Sequence, residues 1–123
     1  MLEGCVFWPA DQAARYRARG WWEGVTIAQM LARSAERSPG KTALVCAGQR
    51  LRYRDLVQVS DRLACRFLEA GIAPLDRVVV QLPNGPDFVH TYFALTRIGA
   101  IPVMALRAHR HTEIRHFVRA SGA

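Results

Sequence analysis

The sequence predicts an α/β fold in which a hairpin is followed by alternating parallel strands and helices that form an incomplete sheet. From about residue 50 onward, short apolar runs alternate with stretches whose apolar residues recur at helical spacing. This alternation is typical of parallel strands joined by right-handed crossover helices. The 123 residues are 50% hydrophobic and 22% charged, as in one ordinary domain or part of one. No strand follows the last helical stretch, so we expect the chain to be the opening portion of a longer protein.

Residues 1–25 are predicted to form an irregular lead-in with one short polar helix over residues 11–19. Gly20 ends that helix, and Trp21 and Trp22 are expected to anchor it to the rest of the protein. Residues 26–123 are expected to form a partial α/β subdomain.

A second helix is predicted to begin after Thr26. Gln29 stands three residues later, the spacing of a capping box in which each side chain accepts a backbone N–H of the other residue. Pro39 and Gly40 end this helix. Its expected buried face consists of Ile27, Met30, Leu31 and Ala35.

Residues 42–46 and 50–53 are predicted to pair as an antiparallel hairpin across the turn 47–49. A long amphipathic helix follows, and Gly71 should end it in the left-handed conformation. Its expected core-facing residues are Leu56, Val59, Leu63 and Phe67.

Two strands buried on both faces are predicted over residues 77–82 and 100–106, because their apolar residues run nearly without interruption. Pro86 is placed to begin the helix between them, and Gly99 to end it after about residue 98. A final helix over residues 111–120 should turn three apolar side chains inward, namely Ile114, Phe117 and Val118.

The net charge of +7 makes nucleic acid a partner to consider. Proteins that follow a phosphate backbone concentrate their cations on one face. Here the arginines are spread over every segment, and Arg52 and Arg54 alternate with apolar neighbours as on the wet face of a strand, so nucleic-acid binding is disfavoured. The densest groups are Arg50, Arg52 and Arg54, and then Arg107, Arg110, Arg115 and Arg119.

A cytoplasmic protein without membrane contact is expected. No uncharged apolar stretch approaches the roughly 20 residues that a spanning helix needs, and no signal-like segment is visible. Cys5, Cys46 and Cys65 form no CxxC pair, so neither a disulfide framework nor a zinc cluster is predicted. Cys46 and Cys65 have apolar neighbours and are expected to be buried.

The turn Asn84-Gly85-Pro86-Asp87 is the first candidate for chemistry, because it follows a buried strand, where open parallel sheets bind ligands. A phosphate site would need free amides and a nearby lysine, and Pro86 supplies no amide. A structural turn is therefore favoured.

Histidines and serines are the other candidates. His111 and His116 point to different faces of a helix, so a metal site with His109 and Glu113 is disfavoured. The serines lie in predicted helices or at their ends, and none occupies a strained strand-to-helix elbow; they are Ser34, Ser38, Ser60 and Ser121. We therefore predict no catalytic, cofactor-binding or metal-binding residue in these 123 residues.

Two segments resemble core motifs of the adenylate-forming superfamily. The segment 50–56, Arg-Leu-Arg-Tyr-Arg-Asp-Leu, resembles its first core motif, "L-(T/S)-Y-x-(E/D)-L". The segment 95–103, Leu-Thr-Arg-Ile-Gly-Ala-Ile-Pro-Val, resembles the second, "L-x-x-G-A-x-x-V/P". The residues 78–84 lie between them, Val-Val-Val-Gln-Leu-Pro-Asn.

Within that superfamily, the chain looks most like the aryl-acid AMP ligases of siderophore pathways. The lead-in segment 16–24 is similar to theirs, as are Gln81-Leu82-Pro83-Asn84 and Phe93-Ala94-Leu95. Residues 104–110 with Glu113-Ile114 resemble their segment "A-L-P-x-H-R-x-x-E-I". Arg107 stands where that segment usually has proline, so the loop before His109 is expected to be looser.

The resemblance implies an enzyme that activates 2,3-dihydroxybenzoate or salicylate with ATP and Mg²⁺, and passes the acyl group to the phosphopantetheine thiol of an aryl carrier protein. In such enzymes the phosphate-binding loop, aryl pocket and mobile lid come later than Ala123. The fragment alone is expected to bind no cofactor, to be inactive, and to self-associate through an open strand edge. The alternatives are an acyl-CoA ligase, a peptide-synthetase adenylation domain, or a small non-enzymatic binding protein.

Overall fold

A computed structural model describes residues 5–123, and all its helices and strands except the first helix lie after residue 25. Residues 1–4 of the predicted lead-in lie outside the described residues. The helices are α1 (Ala10–Ala18), α2 (Ile27–Arg37), α3 (Tyr53–Glu69), α4 (Pro86–Arg97) and α5 (His111–Ser121). The strands are β1 (Thr42–Cys46), β2 (Gln49–Arg52), β3 (Arg77–Val80) and β4 (Ile101–Met104).

The strands form two separate sheets of two strands each. β1 and β2 make the predicted antiparallel hairpin, whereas β3 and β4 pair in parallel across the α4 crossover. The alternation of strands and helices is confirmed, but the expectation that the strand near residue 50 joins the parallel sheet is wrong. Within residues 5–123, β2 pairs with β1 alone, and the two-residue turn between them brings β2 directly back along that strand.

The hairpin turn is tighter than predicted. Ala47 and Gly48 have φ angles of 47° and 79°, the pair of positive values that a type I′ turn requires. Gln49 is consequently already in β2. Tyr53, which was predicted to end the strand, instead begins α3.

The parallel strands are shorter and less covered than predicted. β3 ends at Val80 rather than residue 82, and β4 spans only Ile101–Met104. Val80 is buried, but Val78 and Val79 are half-buried and Met104 is exposed. The prediction of burial on both faces is wrong within the described residues, because a sheet of two strands leaves much of its surface uncovered.

The backbone N–H and C=O groups of successive residues in β4 point alternately toward β3 and toward the opposite edge of the strand. The amides of Ile101 and Ala105 donate to the carbonyls of Asp76 and Val80, at 2.7 and 2.9 Å. Pro102 and Met104 therefore face the outer edge, away from β3. Proline has no N–H to leave unpaired there, which makes this edge less able to accept another strand.

The core lies where α4 covers the parallel strands. Leu95 of α4 is fully buried and packs with Val80 and Ala100. The half-buried side chains around this cluster are Phe67, Ile72, Val78, Leu82, Phe88 and Ile98. α3 packs beside α4, and an ion pair of 3.2 Å between Asp61 and Arg97 joins them at their exposed rim.

The capping box of α2 is confirmed, but its predicted buried face is partly wrong. The Thr26 amide donates to Gln29 Oε1 at 2.8 Å, and the Gln29 amide to Thr26 Oγ1 at 3.2 Å. Ile27 and Met30 are 47% and 59% exposed. Leu31 is buried and Ala35 is half-buried, as predicted. Ala28 and Ala32 complete the covered face in place of Ile27 and Met30, because α3 and α4 lie against the alanine-rich side.

Two of the family-like segments contain an acidic residue that caps the helix after it, namely Asp55 at α3 and Glu113 at α5. The backbone amide of Arg52 donates to Asp55 at 3.2 Å at the start of α3, and that of Arg110 donates to Glu113 at 2.8 Å at the start of α5. The backbone amides of Arg110 and Glu113 hold the pKa of the Glu113 carboxyl below its ordinary range. Each motif thus contains the cap of the helix that it introduces.

Arg77 attaches the end of α5 to the start of β3. Its Nε donates to the Ser121 carbonyl at 2.6 Å, one of the carbonyls that a helix end leaves without a partner. Gly122 follows with a φ of 67°. Ile114 and Phe117 are half-buried as predicted, but Val118 is exposed, so the expected inward orientation of Val118 is wrong.

Candidate functional site

The carboxyl ends of β3 and β4 open onto a groove of about 590 Å³. Open parallel sheets place their ligands at this edge. One wall is the loop between β4 and α5, and the other is the exposed face of α5. The lining residues are Gln81, His109, Arg110, His111, Ile114, Arg115, Val118 and Arg119.

The wall contributed by the loop is held by side-chain hydrogen bonds. Gln81 Nε2 donates to the carbonyls of Leu106 and His109, at 3.0 and 2.8 Å. His109 Nδ1 accepts the Leu106 amide at 2.9 Å. The sequence singled out Gln81 only as part of the segment Gln81-Leu82-Pro83-Asn84. Its hydrogen bonds to the loop after β4 were not predicted. The available signal was a long amide side chain placed directly after an otherwise apolar strand.

The loop that contains Arg107 is held by hydrogen bonds, although it lacks the proline of the resembling family segment. Proline would fix one backbone angle, whereas here the hydrogen bonds of Gln81 and His109 hold the residues on either side of Arg107. The Arg107 side chain is exposed. The greater looseness expected from the missing proline is therefore offset at both ends of the loop.

The groove is cationic. None of Arg110, Arg115 and Arg119 takes part in an ion pair within residues 5–123, and the carboxylate of Glu113 is occupied by the Arg110 amide. An anionic group would be favoured in this groove over a cationic one. The other predicted arginine group is dispersed, because Arg50 and Arg52 lie on β2 and Arg54 lies on α3.

The turn 84–87 leads into α4. Pro86 occupies the first turn of the helix, as predicted. Asp87 borders a separate groove of about 520 Å³ between α3 and α4, with Arg62, Arg66 and His90. The structural interpretation of this turn stays a prediction.

His90 is a buried polar group that the sequence analysis did not single out. It lies on α4 against α3, and its Nδ1 has no hydrogen-bond partner in the described part of the chain. Burial lowers its pKa below the ordinary value of 6.5, although the charge of Asp87 opposes that effect. Burial between the two helices therefore favours the neutral form of the ring over the charged form.

The described histidines, cysteines and carboxylates do not converge on a metal-sized site; no three of them come together. His111 and His116 are exposed on α5, whereas the His109 ring packs edge-on against Phe117 with centroids 5.0 Å apart. Cys65 is exposed and Cys46 half-buried, so the expected burial of Cys65 is wrong.

The serines are placed as predicted, in helices or at their ends. The hydroxyls of Ser34 and Ser121 donate to carbonyls one turn earlier in their own helices. Ser38 follows the last residue of α2. Ser60 is buried in α3, and its hydroxyl lacks a partner among residues 5–123.

The lead-in carries a cluster of aromatic rings. Trp8 and Trp22 pack edge-on with centroids 5.5 Å apart, and Tyr16 lies 5.2 Å from Trp22. Trp22 is half-buried, whereas Trp21 is exposed. Trp21 still packs on Tyr16, with centroids 5.5 Å apart. Because these ring contacts lie within the lead-in, the anchoring of the helix to the rest of the protein stays a prediction. No helix of residues 5–123 is both long and apolar enough to cross a membrane.

Curated relatives match the chain over nearly its whole length. Triostin synthetase I of Streptomyces triostinicus is 50% identical over 100% of the chain. The salicyl-AMP ligase / salicyl-S-ArCP synthetase of Mycobacterium tuberculosis is 47% identical over 99%. The 2,3-dihydroxybenzoate-AMP ligase of Bacillus subtilis is 44% identical over 95%. The chain spans only about a fifth of the length of these relatives, 22–23%.

Solved structures share the fold. The apo structure of Mycobacterium smegmatis MbtA matches 98% of the chain and 23% of its own length, with a TM-score of 0.92 and 40% identity. A putative long-chain-fatty-acid CoA ligase of Rhodopseudomonas palustris matches 76% of the chain and 24% of its own, with a TM-score of 0.72 and 30% identity.

The family assignment agrees with the two core motifs. The model of the AMP-binding enzyme family matches residues 31–123, which include both motifs and both sheets. The chain therefore belongs to the AMP-binding enzyme family.

Proposed function

We propose that this chain is the amino-terminal part of an aryl-acid AMP ligase of siderophore biosynthesis. The whole enzyme would join the carboxylate of salicylate or 2,3-dihydroxybenzoate to AMP, with release of pyrophosphate from ATP. A carrier-protein phosphopantetheine thiol would then take the acyl group and release AMP. Because this reaction consumes ATP, we place the enzyme in the cytoplasm.

The observation that supports this proposal most strongly is the reach of the similarity into the lead-in. The M. tuberculosis salicyl-AMP ligase aligns with 99% of the chain, and therefore with nearly all of residues 1–25. The aromatic cluster of Trp8, Tyr16 and Trp22 belongs to this lead-in. A shared lead-in favours the aryl-acid ligases over the broader superfamily.

The chain would supply scaffold rather than reacting groups. Its residues build the parallel strands, the helices that cover them, and one loop at the ligand-binding edge of the sheet. Within residues 5–123, no three metal-ligating side chains come together.

A chimera tests the proposal. The 123 residues replace the matching amino-terminal region of the M. tuberculosis salicyl-AMP ligase, to which they are 47% identical. We expect salicylate-dependent exchange of pyrophosphate into ATP, because the substituted segment should complete the same sheet. The ligase lacking this region is the control and should be inactive. A folded chimera without exchange, beside an active parent, would contradict the proposal.

A CoA ligase is the second candidate, because two aryl-CoA ligases are also among the relatives. The salicylyl-CoA synthase of a Streptomyces species is 46% identical over 94% of the chain, and a naphthoate–CoA ligase of Streptomyces carzinostaticus is 44% identical over 90%. The same segment inserted into the R. palustris enzyme provides the comparison. Activity in that chimera alone would favour a general acyl-CoA ligase, whereas activity in the salicyl-AMP ligase chimera alone supports the aryl-acid assignment.

A non-enzymatic role in nucleic-acid binding is tested separately. With a net charge of +7, the chain should be retained on DNA at low salt by charge alone. Release at moderate ionic strength is expected for this non-specific attraction. Retention beyond that point would favour the binding protein instead.

A further inference from the structure

We propose that Gln81 and His109 are positioning residues that hold the loop 105–110 in one conformation at the ligand-binding edge of the parallel sheet. This inference rests on the proposed function, since it concerns how the scaffold shapes the ligase's substrate groove. Neither side chain is assigned a contact with a reacting atom. Their effect on the reaction passes through the loop.

The side chain of Gln81 uses both of its N–H donors on this loop. They reach the carbonyls of Leu106 and His109, which are three residues apart, at 3.0 and 2.8 Å. A primary amide has two donors, so its capacity to donate is fully used. Gln81 directly follows the last residue of β3, and the loop is thereby fixed relative to that strand.

His109 closes the same loop from the other side. The Leu106 amide donates to His109 Nδ1 at 2.9 Å, and the His109 amide donates to the Leu106 carbonyl at 3.0 Å. Because Nδ1 accepts, the neutral ring carries its proton on Nε2. Phe117 of α5 lies against the ring at 5.0 Å between centroids, so the ring also fixes the loop relative to α5.

The two residues thus join three elements through one set of contacts. Gln81 and His109 are 28 residues apart, and each lies in one of the segments that resemble aryl-acid AMP ligases. The bonds from both meet at Leu106, next to the unusual Arg107. We infer that this pair constrains the loop at the point where Arg107 stands in place of proline.

The position of the loop gives the pair its functional consequence. It forms one wall of the groove at the carboxyl ends of β3 and β4. Displacements of about 1 Å in groups that orient a substrate can reduce catalysis by up to about 100-fold. A loosened loop should therefore change substrate use as well as stability.

The test uses the active chimera with the salicyl-AMP ligase. Gln81→Leu keeps a similar volume and removes both donors, whereas Gln58→Leu is the matched control, because Gln58 is exposed on α3. We expect Gln81→Leu to lower kcat/KM for adenylation roughly tenfold, within the roughly 100-fold that a displaced orienting group can cost. The assay temperature lies well below the unfolding midpoints of both variants. The control should match the parent.

A rescue pair tests His109. His109→Phe keeps a ring against Phe117 but lacks the acceptor, and should behave like Gln81→Leu. His109→Asn places an oxygen near the position of Nδ1, and should retain kcat/KM within about twofold of the parent. Gln81→Leu combined with His109→Phe should be less damaging than the product of the single effects, because the two residues hold one loop.

Several results would overturn the inference. One is Gln81→Leu with a lowered unfolding midpoint and unchanged kcat/KM, which would reduce the pair to a structural role. Equal activity of His109→Phe and His109→Asn is another. Amide hydrogen exchange at Leu106 measures the order of the loop independently of enzyme activity. In the folded proteins, this amide should exchange at least tenfold faster in Gln81→Leu than in Gln58→Leu. An inactive unsubstituted chimera would count against the proposed function. Equal exchange rates of the Leu106 amide in Gln81→Leu and Gln58→Leu would instead count against the proposal that Gln81 holds the loop.

Discussion

Replacing Leu95 by alanine should remove a large part of the stability of the chain. Leu95 is 0% exposed and is the largest fully buried side chain of the described residues. Leu→Ala at closed sites costs about 2.7–5.0 kcal/mol, depending on how far the surroundings collapse. Its neighbours Phe67, Val78 and Phe88 are half-buried and can move inward. We therefore expect a loss of unfolding free energy in the lower half of that range, about 3 kcal/mol.

That loss is large for a chain of this size. A domain of 123 residues has about 6 kcal/mol of stability at the lower end of the usual range. The urea midpoint of Leu95→Ala, followed by circular dichroism, should fall by about half, and its thermal midpoint by about 10 °C. Leu68→Ala is the control, because Leu68 is exposed on α3. Equal midpoints for both variants would refute the placement of the core.

Three further predictions follow from individual contacts. Since burial lowers the pKa of His90, the unfolded chain takes up that proton first. Stability should therefore fall as the pH drops below about 6.5, and His90→Leu should lose more of this dependence than His116→Leu in urea titrations. Gly122→Ala should cost about 1–2 kcal/mol, and more than Gly48→Ala, because a Cβ at Gly122 would displace the Arg77 guanidinium at 2.8 Å and disturb its hydrogen bond to Ser121; equal midpoint shifts would contradict this. The isolated chain should self-associate through the exposed edge of β3, and a monomeric sedimentation coefficient at 100 μM, about the upper end of a usual concentration series, would contradict it.

The helices were predictable because their signals are local. Thr26 and Gln29 contain the whole capping box in four residues of sequence, and Gly71 and Gly99 end their helices with positive φ as expected. Helix ends depend on hydrogen bonds within one turn. A single sequence therefore contains nearly all the information that places them.

Strand burial and the inward faces depended on distant partners and were predicted less well. The apolar run at Val78–Val80 indicates a covered strand, yet whether it is covered depends on neighbours far away in sequence or outside these residues. Ile27 and Met30 form an apolar face as regular as that of Ala28 and Leu31, and only the packing of α3 and α4 decides between the two. The same holds for Gln81, whose carbonyl partners lie 25 and 28 residues further on.

The most direct test of the incomplete sheet is amide hydrogen exchange at its outward-facing amides. On β3, the alternation of the parallel ladder turns Val79 outward, and on β4 it turns Met104 outward. In the isolated chain, diluted until it sediments as a monomer, both amides should exchange quickly. In the folded chimera, at least one should become protected by a strand of the ligase. Equal protection in the two proteins would mean that the sheet of two strands is already complete, which would contradict the account.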